Sequence, residues 1–198
     1  YCNYVGLLNA DIPEEISYEN QTYKVVGIAD DAFISSANLI SVTIPSTVKT
    51  IGASSFAECT SLRTVTLPNN LETIGEAAFA SCENLTSINI PSGLTSLPDV
   101  LFAGCSSLAS VTLPNTIITI GRGAFSECRS LLNIEIPNSV LHIGDMAFEK
   151  CTNLTSVKLP TSINKIPNFM FAECSSLSAL ILPNSIKSIG ARAFSECS

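Results

Sequence analysis

A period of 23 residues runs through this chain without an insertion. Phe stands at 33, 56, 79, 102, 125, 148, 171 and 194, and Pro at 45, 68, 91, 114, 137, 160 and 183. Cys occupies 59, 82, 105, 128, 151, 174 and 197, with Ser36 in the first place of that column. A fixed period between about 20 and 50 residues marks a solenoid, because one copy cannot bury its own apolar face and must stack on its neighbours. The 198 residues therefore count coils, seven full ones with a partial eighth, rather than globular domains. The broad role this predicts is a recognition surface.

Each repeat divides into three parts. Leu62, Val65 and Leu67 alternate and close on Pro68, which reads as a short parallel strand, since proline cannot donate to a ladder and suits a strand's exit. The same places run from Leu39, Val42 and Ile44 to Leu177, Leu180 and Leu182. After a turn, Leu71 and Ile74 mark a second short extended piece. Ile74, Ala78, Phe79 and Cys82 then fall at helical spacing, which predicts a single helical turn. Pro98 and Pro167 replace the glycine of Gly52, Gly75, Gly121, Gly144 and Gly190. That exchange implies a place needing neither a left-handed backbone nor a ladder bond, as at the first residue of a helical turn.

Residues 1–32 depart from the repeat. Ile12, Pro13 and Ile16, then Tyr18–Gln21, then Tyr23–Val26, read as two extended segments around a turn, a cap over the N-terminal end of the core. The domain reading is thus a cap over 1–32 and repeats over 33–198, the last one truncated. The chain stops in mid-repeat, so a fragment is expected. No basic and apolar leader opens it, and no apolar run is long enough to cross a membrane as a helix.

Apolar residues make up 46% of the chain and charged ones 14%, enough for a long continuous core. The net charge of −7 argues against nucleic acid as a partner, since its phosphates need clustered Lys and Arg. The acids collect at the front, where Asp11, Glu14, Glu15, Glu19, Asp30 and Asp31 face Lys24 alone.

The run I-G-x-x-A-F-x-x-C-x-x-L-x-x-V-x-I-P resembles the 23-residue leucine-rich repeat of the BspA-like, Treponema-type class, over residues from about 25 to the end. The opening I-P-E-E-I-S-Y-E-N-Q-T-Y-K-V resembles the cap before such repeats in surface proteins of Bacteroides-like bacteria. The resemblance implies a right-handed solenoid in a secreted or surface-anchored protein. It also implies adhesion to host matrix proteins or to other microbes.

Cysteine comes first among candidate sites. Seven thiols repeat at one interior place, where free Cys behaves as a small buried hydrophobe, so a column of unpaired thiols is expected. Cys2 lies outside the column and its state is open. His142, the single histidine, falls at an outward place without convergent partners, so neither a metal nor a cofactor is expected. No nucleophile–base pair or phosphate loop appears, which predicts a non-enzyme. Asn20, Asn84 and Asn153 head glycosylation acceptor triplets that matter only in a eukaryote.

The strand face carries more. Two columns should point outward: Ser41, Thr64, Ser87, Ser110, Asn133, Ser156 and Ala179, beside Thr43, Thr66, Asn89, Thr112, Glu135, Lys158 and Ile181. One reading is plain β-propensity, since Thr suits strands. The other is a binding face centred where monotony stops, comprising Asn89, Thr112, Asn133, Glu135, Ser156, Lys158 and Ile181, with Glu135 and Lys158 close enough for a cross-strand ion pair. A second place is two before each Phe, where Val100, Met146 and Phe169 are large and apolar; the reading preferred is that they are core.

The expectation is an α/β-type repeat solenoid with parallel strands on the inner face and short helical turns outside. Its function would be non-catalytic binding of a host protein, a microbial surface or a glycan. A spacer that projects another domain is the alternative.

Overall fold

The computed structural model describes residues 7–197. The chain stacks as a solenoid with three walls. The first consists of three-residue strands: β1 (Asn9–Asp11), β5 (Ser41–Thr43), β7 (Thr64–Thr66), β9 (Ser87–Asn89), β11 (Ser110–Thr112), β13 (Asn133–Glu135) and β15 (Ser156–Lys158). Pairing is parallel and in repeat register, Val42 beside Val65 and Ile134 beside Val157. Ladders join β1–β5–β7, β9–β11 and β13–β15.

The second wall holds two-residue strands: β4 (Gly27–Ile28), β6 (Thr50–Ile51), β8 (Thr73–Ile74), β10 (Ser96–Leu97), β12 (Thr119–Ile120), β14 (His142–Ile143), β16 (Lys165–Ile166) and β17 (Ser188–Ile189). Between β1 and β4 the chain inserts an antiparallel hairpin, β2 (Glu15–Tyr18) and β3 (Gln21–Lys24). Its turn residues Glu19 and Asn20 have φ of 49° and 61°, the left-handed pair that a two-residue hairpin turn requires. Every hairpin residue is exposed. Asn9 faces Ser41, 32 residues on, and the hairpin supplies the excess over the repeat.

The third wall corrects the expected helical turns: no helix occurs among the described residues. Residues two before and two after each Phe adopt a left-handed backbone, for example Ser54 (φ 51°) and Glu58 (φ 60°) around Phe56. Every second N–H between these two places points along the solenoid axis. Ser54, Phe56 and Glu58 accordingly donate to Glu76, Ala78 and Ala80 of the next coil, at 2.8–2.9 Å. Ala57 and Cys59 close tight turns on Ser54 and Phe56 instead. The same three bonds recur at every junction from Asp31 to Ser195, so this wall is unbroken.

The glycine before this wall is a second correction. Gly52, Gly75, Gly121, Gly144 and Gly190 each donate a 2.8 Å bond to the preceding coil, at Ile28, Ile51, Leu97, Ile120 and Ile166. The place therefore does carry a ladder bond. None of the five has a positive φ; close approach selects glycine, since a Cβ on Gly75 would lie 2.3 Å from Ala53 N. Pro98 and Pro167 have no N–H to give. The second wall accordingly splits into β4–β6–β8, β10–β12–β14 and β16–β17, and both breaks fall at these prolines. A neighbouring bond fails too. Glu72 donates to Lys49 and Ile118 to Thr95, but no bond joins Thr95 to Glu72 or Asn164 to Leu141.

Inside the walls the phenylalanines form one stack. From Phe33 to Phe194, ring centroids of neighbours lie 5.0–5.9 Å apart at interplanar angles of 3–22°. Phe56 to Phe171 are wholly buried, as are Leu62, Leu85, Leu108, Leu131 and Leu154. Full burial of such a side chain stabilises by about 1.5–3 kcal/mol.

The thiol column lines the core. Each Sγ from Cys59 to Cys197 donates to the carbonyl of the Phe 26 residues earlier, at 3.1–3.3 Å. The cysteine thus satisfies a carbonyl in the coil before it while filling a small apolar gap. Desolvation by burial pushes these thiols up, Cys59 to about 11 and Cys105 and Cys174 to about 12. They remain neutral and unreactive at ordinary pH. Cys2 lies outside the described residues.

Candidate binding face

Strand alternation places the middle residue of each first-wall strand inward and its neighbours outward. Asn89, Thr112, Asn133, Glu135, Ser156 and Lys158 are all exposed on that wall. Register sets Thr112 beside Asn89, Asn133 beside Ser156, and Glu135 beside Lys158. The Lys158 ammonium and Glu135 carboxylate form the expected cross-strand ion pair. Both side chains are about two-thirds exposed, at 71% and 68%, so the pair contributes roughly 0–1 kcal/mol. Ile181 stands apart: it is 89% exposed, and residues 178–183 form no strand.

A concavity of about 620 Å³ opens where β11, β13 and β15 run into their turns. Thr112, Asn133, Glu135 and Lys158 line it together with Asn115, Asn138 and Ser139, over a floor that includes Val111, Leu113 and Ile136. It does not include Asn89, Ser156 or Ile181. Asn115 and Asn138 follow Pro114 and Pro137 in the turn, and the repeated Pro-Asn pair was the available sign of them. Asn138 Oδ1 accepts the N–H of Thr161 at 2.9 Å, which fixes the rim across two coils. The arrangement offers amide donors and acceptors, one carboxylate and one ammonium above a small apolar floor. That chemistry suits polar recognition.

Elsewhere the structure places the remaining residues plainly. His142 is exposed on β14. Val100, Met146 and Phe169 are partly exposed, and the expectation that they are core is corrected. The following residues, Leu101, Ala147 and Met170, are wholly buried in their stead. The left-handed backbone turns the first of each pair outward. Among the described residues, no group of His, Cys, Asp and Glu could hold a metal ion, and no helix is long and apolar enough to cross a membrane.

These features define a leucine-rich repeat solenoid. The BspA-type leucine-rich repeat region matches in six copies over residues 26–131 and 102–198, and the chain belongs to that family. Among solved structures, the leucine-rich repeat protein of Treponema pallidum is 31% identical with a TM-score of 0.66, covering 100% of this chain and 78% of its own. A leucine-rich repeat protein from Eubacterium ventriosum ATCC 27560 is 20% identical with a TM-score of 0.55, covering 88% of this chain and 68% of its own. A leucine-rich cell surface protein from Faecalibacterium prausnitzii A2-165 is 25% identical with a TM-score of 0.46, covering 96% and 79%. No curated protein matches.

Proposed function

We propose that this chain is a non-catalytic binding module of a secreted or cell-surface protein. It holds a protein or glycan of a host or a neighbouring microbe against the first wall around β11, β13 and β15. The observation that carries this reading is that the concavity coincides with adjacent coils where the Ser/Thr columns change to Asn133, Glu135 and Lys158. Thr112 lines the same concavity, while Asn89, Ser156 and Ile181 extend the face on either side. Repeats that only carry load tolerate monotony on every face, whereas a binder needs coils that differ. Placement outside the cell rests on kinship with the BspA-type family.

One observation favours the second reading, a spacer. The third wall is bonded without interruption from coil to coil, as a stiff projecting rod requires. Biolayer interferometry against immobilised matrix proteins, mucin glycans and bacterial cell-wall polysaccharides separates the two. A saturable signal with at least one of them supports the binding module. A folded chain that stays silent on all of them supports the spacer.

A further inference from the structure

The place two before each Phe is left-handed in every coil. Its φ is 51° at Ser54, 55° at Ala77, 49° at Val100, 57° at Gly123, 60° at Met146, 54° at Phe169 and 52° at Arg192. Gly, Asn and Asp adopt that backbone readily; a β-branched Val and a bulky Phe are outliers there. Burial does not compensate them, since Val100, Met146 and Phe169 stay partly exposed. Residues that break a local backbone rule without gaining a core contact mark functional surface more often than packing.

The three form a stripe along the third wall. Val100 leans over Gly123, its Cγ1 3.3 Å from where a Cβ of that glycine would sit. Two guanidiniums lie along the same stripe. Arg122 Nη2 rests 3.7 Å from Met146 Sδ, and Arg192 Cζ sits 5.9 Å from the centroid of the Phe169 ring. Neither is in an ion pair among the described residues. Two nearby carboxylates accept hydrogen bonds from backbone and amide N–H groups rather than from the guanidiniums. Asp99 Oδ1 accepts the backbone N–H of Arg122 at 2.7 Å, and Asp145 accepts both the backbone and side-chain N–H of Asn168 at 2.9 and 3.0 Å.

We infer that Val100, Met146 and Phe169, flanked by Arg122 and Arg192, form a docking surface for an acidic protein segment that carries an apolar side chain. Outside any ion pair, the guanidiniums keep donors for carboxylates, and the stripe offers apolar anchors beside them. Apolar anchors beside Arg are the composition that dominates protein interfaces. The surface lies on a different wall from the concavity, so this inference stands independently of the proposed function.

The test uses fluorescein-labelled 12-residue peptides in which Leu and Phe are flanked by Glu, against the same apolar residues flanked by Lys, with heparin as a competing anion. Two variants decide it: V100N/M146N/F169N, whose asparagines suit the left-handed backbone, and R122Q/R192Q. The Glu peptide should bind the native chain, and each variant should bind about tenfold or more weakly. The thermal midpoint of the asparagine variant should be unchanged or higher, because backbone strain is relieved. A lower midpoint would assign the three side chains a packing role and overturn the inference. So would equal binding of both peptides, or heparin binding without binding of the Glu peptide.

Discussion

Replacing Pro98 by Gly and, separately, by Ala tests the origin of the breaks in the second wall. Both substitutions restore an N–H, but only glycine lets the coils approach closely, since a Cβ at the equivalent Gly121 would fall 2.5 Å from Asp99 N. With Gly, residue 98 should donate to Ile74 as Gly75 donates to Ile51, and Thr95 should donate to Glu72 as Glu72 donates to Lys49. Two net hydrogen bonds stabilise by about 0.5–1.5 kcal/mol each. Loss of proline's restraint on the unfolded chain costs about 0.4–1 kcal/mol, slightly more for Gly than for Ala. The Gly variant should therefore gain about 1 kcal/mol, a rise of about 2–4 °C in thermal midpoint for a chain this size. The Ala variant should lose about 0.4–1 kcal/mol. Hydrogen exchange should slow at the Thr95 amide in the Gly variant alone. Unfolded-state entropy acting by itself predicts the opposite ranking, so an Ala variant as stable as the Gly variant, or more so, would refute the reasoning.

Four further outcomes follow from the core. Ser55 is wholly buried, its hydroxyl lacks a partner, and Ala stands at its place in five other coils, so Ser55→Ala should raise stability by about 1 kcal/mol in thermal or denaturant unfolding. Phe125 lies in mid-stack, 5.5 and 5.4 Å from its neighbours, and Phe125→Ala should cost about 3–5 kcal/mol by the same assay. The buried thiols have folded pKa values above their unfolded ones, so their contribution is complete at neutral pH. Stability should begin to fall above about pH 9, as unfolded-state thiols ionise, and should continue to fall toward about 11 for Cys59 and about 12 for Cys105 and Cys174. In a Cys2→Ser background, alkylation at pH 8 should reach Cys197 first and the six buried cysteines only on unfolding.

The columns were legible because burial acts on side-chain type: Phe, Leu and Cys recur where the structure buries them. The third wall was misread because Ile74, Ala78, Phe79 and Cys82 have the spacing of a helical face, and a left-handed backbone leaves a trace only where Gly occupies it. Ser54, Ala77, Val100, Met146, Phe169 and Arg192 give no such sign. The prolines were misread for a related reason. Pro in the place of Gly argued for a place without a ladder bond, whereas Pro98 and Pro167 are local losses of a bond that the five glycines keep. On the first wall, alternation gave the outward residues and the Glu135–Lys158 pair. The concavity depends on how turns of adjacent coils meet, so Asn115 and Asn138 escaped a strand-based reading.

Binding is proposed to fall on the first wall around β13 and β15. The direct measurement takes the strongest ligand found for the native chain and titrates it against N133S/E135S/K158S. These substitutions replace exposed side chains by a small hydroxyl residue like the Ser and Thr of the other coils, and the one ion pair they remove is worth roughly 0–1 kcal/mol, so the thermal midpoint should change little. Binding should fall by about tenfold or more while the fold is kept. Undiminished binding by the folded variant would contradict that placement.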